Sequence, residues 1–351
     1  MIRVYEPSIA DSDIAAVQQA LQHGCIGPGA WAERFAAALC SATGMKHCIL
    51  CNSGTTALWL ALKAIGVGPG SNVIAPAYGM HAGAEQAALL GANVWLLDVV
   101  MDLWNLDPSK LSGLPIEEFK AVIAIDHNGL LDETDWSGLK SVFDAYNVPL
   151  IEDACQALGC EGAFRLGDIC TLSFSVPKLV TTGQGGAVLT NNDGYATAIA
   201  NLNDHGGTWR TTGVSNSLGG NWRMPDVLAA LGVSQMERLP QTLAQREAIH
   251  DRYNARLQEV PGVDLRLSLG WGVTWRTPTA KLLIEKLKAS GIEARQPYKV
   301  TSKHRPFTNF IRRYPVAETA EAELVYLPGH VGLTMDTIDK VCDVLCSHEK
   351  A

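Results

Sequence analysis

Between about residue 46 and residue 205, short apolar runs alternate with longer stretches of helical periodicity. HCILC, NVIAP, NVWLLD, FKAVIAI, VPLIED, CTLSFS and GGAVLTN are short, apolar and bounded by turn residues, as strands are. GTTALWLALKAIG, HAGAEQAALLG and TDWSGLKSVFDAYN carry their apolar residues at helical spacing and separate those strands. Strands apolar on both faces, joined through helices, predict an α/β fold with a wound, mostly parallel sheet covered on both sides. In such sheets a ligand sits beyond the carboxyl ends of the strands. Asp153 and Ser173 stand at two of those ends.

The pattern changes further along. MPDVLAALGVSQMERLPQTLAQREAIHDRYNARLQEV is helical throughout, and Pro240 marks a kink or break between two helices. After Pro261-Gly262 come shorter elements, VDLRLSLGWGVTW, TAKLLIEKLKASG and MDTIDKVCDVLCSHE, which predict a smaller C-terminal α/β domain. The boundary falls near 235–245, dividing the chain into a large domain over 1–240 and a small one over 241–351. The N-terminal stretch to about residue 40 holds a helix, SDIAAVQQALQHG, and a glycine-rich turn, CIGPGAW. It is counted with the large domain, although the pattern does not say which domain it packs on.

Composition narrows the function. The chain has 351 residues, 47% of them apolar and 18% charged, the balance of a soluble globular enzyme of two or three domains. A net charge of -8 argues against a nucleic-acid or anionic-membrane binder, so an anionic ligand must be held by local donors. MIRVYEPSIADSD has no apolar h-region, and NVWLLDVV and ELVYLPGHVGL are too short or interrupted to span a bilayer. Nine cysteines without a disulfide-framework spacing suit a reducing cytoplasm. Cys48 and Cys51 form a CxxC, but on a strand residues three apart face opposite ways, so both are read as core cysteines and no metal is expected.

The candidate chemistry lies at Lys178, within SFSVPKLVTTGQGGAVLTNN, and at Asp153 and Gln156, within VPLIEDACQALG. An amine can form a Schiff base with pyridoxal phosphate, and a carboxylate can keep the ring nitrogen of that cofactor protonated. CNSGTTALWLALKAIG supplies a phosphate end. Asn52 or Ser53 caps a helix whose first turn holds Gly54, Thr55 and Thr56, with outward N–H groups and the helix dipole behind them. Ser173, five residues before Lys178, can add a hydroxyl. Singly, each has an ordinary reading: a surface lysine, an acid capping ACQALG, a buried serine bonded to backbone. Their coincidence at strand ends points to a cofactor site.

These motifs, with FAAALCSATGMKHCILCNSGTTALWLALKAIGVGPGSNVIAP, LWNLDPSKL, LGDICTLSFSVPKLVTTGQGGAVLTN, NDHGG, GGNWRMPDVLAALGVSQMERL and RYPVAETAEAELVYLPGHVGLTMDTIDKV, cover nearly the whole chain. In this order they resemble the DegT/DnrJ/EryC1/StrS sugar aminotransferases, pyridoxal-phosphate enzymes of fold type I. The resemblance implies Lys178 as the Schiff-base lysine, Asp153 against the pyridinium nitrogen and Gln156 near the ring and its phenolic oxygen. Gly54, Thr55 and Ser173 are to hold the phosphate. Asn221, in GGNWRM, is to reach the cofactor phosphate of a neighbouring subunit, which implies a homodimer with shared sites.

The implied reaction moves an amino group from L-glutamate to a keto-sugar, nucleotide-linked by family habit. Substrate groups are expected from the loops around 207–221 and from RQPYKVTSKHRPF, with Arg223 and His304 as candidates. Two other readings are a keto-sugar dehydratase, in which such relatives replace the lysine by histidine, and a regulatory relative that binds cofactor without turnover. Departures from the family pattern cluster at the site. Gly79 and Met80 stand where a threonine and a ring-stacking aromatic are usual, leaving Tyr78, Met80 or His81 for that task. Asp126 and Asn128 replace a histidine and a tyrosine, and Gln184 replaces a glutamate.

Overall fold

The structure, a computed structural model, describes residues 1–24, 26–131, 133–258, 260, 262, 264–307 and 312–349. Cys25, which opens the N-terminal turn, and Pro261, the marker of the change in pattern, lie outside the described residues. Seven strands form the main sheet: β1 (His47–Cys51), β2 (Asn72–Pro76), β3 (Asn93–Leu97), β4 (Phe119–Ile125), β5 (Leu150–Asp153), β6 (Ile169–Ser173) and β7 (Gly186–Thr190). Their order is β1-β7-β6-β5-β4-β2-β3. Neighbours from β3 to β6 run parallel, and β7 is antiparallel to both β6 and β1. Each strand found in the sequence is present, and the sheet is mostly parallel as expected.

The helices are α1 (Asp11–Gln22), α2 (Ala30–Thr43), α3 (Gly54–Ile65), α4 (Ala82–Leu89), α5 (Glu133–Ala145), α6 (Asp193–Asn203), α7 (Trp209–Thr212), α8 (Asp226–Glu237), α9 (Leu239–Leu257), α10 (Ala280–Ala289), α11 (Pro315–Glu323) and α12 (Met335–Glu349). Successive residues of β4 serve two different cores. Ile123 packs with Leu58 and Leu62 of α3, whereas Val122 and Ala124 pack with Leu139 and Phe143 of α5. The two strand cysteines divide the same way: Cys51 belongs to the α3 core, and Cys48 packs against the core that holds Phe35 and Leu39 of α2.

α2 begins with no cap of its own, because Gly29 precedes it. Asp226, at the start of α8, supplies the cap: its carboxylate accepts from the N–H groups of Gly29 (2.8 Å), Trp31 (3.2 Å) and Ala32 (2.9 Å). α1 and α2 thereby lie against α8. Pro240 is the second residue of α9, where its missing N–H costs nothing, and the predicted break between α8 and α9 falls just before it.

Three antiparallel strands make a second sheet, β8 (Asp264–Ser268), β9 (Gly272–Arg276) and β10 (Leu324–Leu327), in the order β10-β9-β8. Tyr253 of α9, Leu283 of α10 and Val341 of α12 share one buried cluster with Trp275 and Val325 of that sheet. The N-terminal stretch serves both regions. Ile2 bridges Ile292, the Val4 N–H donates to Glu293 at 3.1 Å and Tyr5 packs on Trp271, while α1 sits on α8. Among the described residues no helix is long and apolar enough to cross a membrane.

Candidate active site

A cavity of about 390 Å³ opens at the carboxyl ends of β5 and β6, between the main sheet and the turn joining β8 to β9. Gly54, Thr55 and Ser173 line one end, Asp153, Gln156 and Lys178 the middle, and Trp271, Arg295 and Tyr298 the side toward the second sheet.

At the first end, Ser53 is the helix cap: its hydroxyl accepts from the Thr56 N–H at 3.1 Å, while Asn52 accepts from the Thr56 hydroxyl at 2.6 Å. The N–H groups of Gly54 and Thr55 precede the first intrahelical bond, so they remain for a ligand. Close packing explains the glycines here. A Cβ on Gly54 would lie 2.7 Å from Ser173 Cβ, and one on Gly186 would lie 2.3 Å from the Ser53 carbonyl. Lacking them, the start of α3 sits directly on the ends of β6 and β7, beside the Ser173 hydroxyl. Helix terminus, hydroxyls and cradle together fit a phosphate.

Lys178 is held by the loop between β6 and β7. Lys178 N–H donates to Ser175 O (3.0 Å), Phe174 N–H to Gly185 O (2.9 Å) and Thr182 N–H to Phe174 O (2.9 Å), which folds the loop back on itself. The half-buried lysine presents its Nζ at 4.4 Å from the centre of the Trp271 ring. Burial lowers its pKa, with Cys155 and Asp153 pulling the other way, so the amine is easier to deprotonate than an ordinary lysine. A nucleophile or proton carrier needs that neutral form.

Asp153 ends β5 and is buried. Its Oδ1 accepts from Cys155 N–H (3.2 Å) and from the Thr171 hydroxyl (3.4 Å), an Asx-type turn where the sequence also allowed a helix cap. Burial raises its pKa, while the Lys178 charge and these bonds lower it. A buried carboxylate facing a cavity calls for a cationic partner, and a protonated pyridine nitrogen is one. The amine, the carboxylate and the phosphate cradle therefore fit pyridoxal phosphate on their own chemistry.

Comparison with known proteins decides the family. The model of the DegT/DnrJ/EryC1/StrS aminotransferase family matches residues 7–346. The chain belongs to the DegT/DnrJ/EryC1/StrS aminotransferase family. Membership bears out the cofactor read from the sequence, pyridoxal 5′-phosphate, and the fold type. Among curated members of the DegT/DnrJ/EryC1/StrS family and its relatives, the chain is similar to GDP-perosamine synthase of Caulobacter vibrioides, 33% identical over 334 residues and covering 90% of each chain. It is similar also to UDP-2-acetamido-2-deoxy-3-oxo-D-glucuronate aminotransferase of Pseudomonas aeruginosa, 30% identical with 96% of each covered. Among solved structures, the DegT DnrJ EryC1 StrS aminotransferase from Brucella abortus superposes with a TM-score of 0.89 at 26% identity, covering 97% of this chain and 96% of the other. The aminotransferase TlmJ from Streptoalloteichus hindustanus shares the fold, with a TM-score of 0.91 at 24% identity over 99% and 98%.

Within this family frame, the positions where the chain departs from the usual pattern are informative. Met80 lines the cavity with its side chain open to it, whereas Tyr78 is fully buried and His81 stacks on His304 at 3.9 Å between ring centres. Of the residues left for the stacking task, Met80 is thus the one on the cavity wall. Gln184 also lines the cavity, and Asp126 and Asn128 are buried behind it.

Three expected site residues stand apart from this cavity. Asn221 is exposed, and its Oδ1 accepts from the Arg223 guanidinium at 3.1 and 2.9 Å. Arg223 also pairs with Asp204 at 3.3 Å, and His304 is engaged with His81. In their place the second sheet and the chain leading to it deliver Trp271, Arg295, Tyr298 and Tyr326. Arg295 and Tyr298 fall in the RQPYKVTSKHRPF segment named from the sequence as a source of substrate groups. Trp271 carried no local signal at all.

Proposed function

We propose that the protein transfers an amino group from L-glutamate to a keto-sugar carried on a nucleotide, in the making of an amino sugar. Lys178 and Asp153 in one cavity, with the start of α3 at its end, is the observation that carries this reading. The names of the relatives support the acceptor class: the two described above are a GDP-sugar and a UDP-sugar enzyme by name.

Pyridoxal phosphate, when bound, supplies an aldehyde for the amine and a ring that withdraws electrons from the substrate carbon being deprotonated. The chain supplies the rest. Lys178 would hold the cofactor's aldehyde through its Nζ, and the same amine, when free, would carry a proton from one substrate-side carbon to another. Its lowered pKa keeps the free amine available as a base. Asp153 would keep the ring nitrogen protonated, Gly54, Thr55 and Ser173 would hold the phosphate, and Gln156 would serve the ring and its phenolic oxygen. Arg295 brings a guanidinium to the cavity, over the Tyr5 ring at 5.0 Å, with no acid paired to it among the described residues. Such a group suits an anionic oxygen of a substrate.

The same reading places two copies of the chain together, with Asn221 reaching the partner's cofactor phosphate; its exposed position supports that role. It keeps the division into 1–240 and 241–351, places the protein in the cytoplasm, and leaves Arg223 and His304, outside the cavity, as candidate substrate contacts. An absorbance spectrum with pyridoxal phosphate, before and after L-glutamate, tests it. Loss of the visible band and growth of a near-ultraviolet one, followed by recovery on adding a nucleotide keto-sugar, is the expected course. A visible band that no amino donor changes would show a binder without turnover and refute the reaction.

A further inference from the structure

Asn128 follows β4, in the left-handed region with φ 56°, and is only 1% exposed. An asparagine tolerates that conformation well, and this one engages its backbone N–H and both ends of its side-chain amide. Its backbone N–H donates to Gln156 Oε1 at 2.6 Å. Its side-chain Nδ2 donates to the Thr274 hydroxyl of β9 at 3.2 Å, and its Oδ1 accepts from the Tyr326 hydroxyl of β10 at 2.5 Å. Gln156 in turn donates from Nε2 to the Tyr298 hydroxyl at 2.7 Å. The Tyr298 and Tyr326 rings stand perpendicular, with their centres 6.3 Å apart. Hydrogen bonds thus run unbroken from Tyr326 through Asn128 and Gln156 to Tyr298.

These bonds settle which way the Gln156 carboxamide faces. A backbone N–H can only donate, so the Gln156 oxygen must face Asn128 and the NH₂ must face Tyr298. One hydrogen of that NH₂ goes to Tyr298; the other is left for the cavity that Gln156 lines with Lys178. We propose that Asn128 is a positioning residue: by tying Gln156 to Thr274 and Tyr326 of the second sheet it fixes Gln156 as a donor to an anionic oxygen beside the point where Lys178 attaches. In pyridoxal phosphate that oxygen is the phenolate next to the aldehyde, so the inference rests on the functional reading given above. Because Thr274 and Tyr326 belong to the second sheet, the donor is aligned only while that sheet is docked.

A donor to the phenolate favours the deprotonated form of the bound cofactor at rest, and losing it raises the pH midpoint of the visible band. The test is therefore an absorbance titration of the holoenzyme without substrate, for wild type, Asn128→Ala, Gln156→Ala and the double variant. The expected result is an upward shift of about one pH unit in each single variant, the scale of one hydrogen bond to a charged group. The double variant should shift no further, because both changes remove one interaction. If Asn128→Ala does not fold, Tyr326→Phe removes the hydroxyl that holds Asn128 while keeping the core filled, and the same shift is expected. A shift in Gln156→Ala with none in Asn128→Ala or Tyr326→Phe overturns the positioning role and leaves the proposed function standing. Additive shifts in the double variant overturn it as well. A wild type without a visible band sinks both the functional reading and this one.

Discussion

Lowering the pH from 7.5 to 5.0 should cost the fold about 2 kcal/mol through His127 alone. Its imidazole is fully buried, and both ring nitrogens lack a hydrogen-bond partner among the described residues. Tyr78, Trp104 and Tyr298 surround it at 5.1, 5.8 and 5.5 Å between ring centres. Burial with nothing to compensate it pushes the pKa from 6.5 down to about 3. The unfolded chain, at the ordinary value, takes up its proton first as the pH falls. Stability is therefore lost as the pH drops below 6.5, and the loss continues until the folded state also protonates near 3. At pH 5.0 the difference is about 1.5 units at roughly 1.4 kcal/mol each. Neighbouring Asp126 acts in the opposite sense. Burial, then the nearby Glu152 carboxylate, raises its pKa, so its penalty grows as the pH rises above the usual carboxyl range. Comparing wild type with His127→Phe at both pH values cancels that term and the packing cost of the substitution. Urea unfolding is the assay, and the variant should be less sensitive to acid by about 2 kcal/mol. Equal pH dependence in the two proteins would show that His127 is solvated or paired in solution, and the reasoning fails.

Lys178→Ala should abolish transamination while cofactor still binds without a covalent link; a glutamate-to-keto-sugar assay with a borohydride-trapping control checks both halves. Gly54→Ala places a methyl carbon where Ser173 Cβ stands 2.7 Å away, so cofactor affinity, read by tryptophan quenching, should fall by about tenfold or more. Asp226→Ala removes an acceptor shared by three N–H groups at the start of α2 and should lower stability by about 1–2 kcal/mol in urea, with the cofactor spectrum unchanged.

Much of the main sheet is legible in the sequence because its strands are apolar on both faces and the helices between them are periodic. Asp153 and Ser173 stand out for the same reason: a polar residue closing an apolar run marks the strand end where a ligand belongs. Strand direction is less legible. GGAVLTN reads alike in either sense, and only its pairing shows β7 to be antiparallel. The other wall of the site is harder still. Trp271 lies in the turn of a hairpin, and nothing near it in the chain hints that its ring faces Lys178. Arg223 and His304 drew attention by residue type, but a guanidinium is as well satisfied by Asn221 and Asp204 as by a substrate. The buried Asn128 looks in the sequence like a lost tyrosine; only the fold shows that Tyr326, from nearly two hundred positions away, fills in with a hydroxyl.

The seating of Val4 against Glu293 joins positions 289 residues apart, and Tyr5 alongside it packs on Trp271, whose face meets Lys178. The firmness of the cavity wall therefore depends on the first residues of the chain as well as on the sheet. A ligand that binds only the form with this strap seated stabilises the seating in turn, so cofactor binding and the order of the N-terminus are thermodynamically linked.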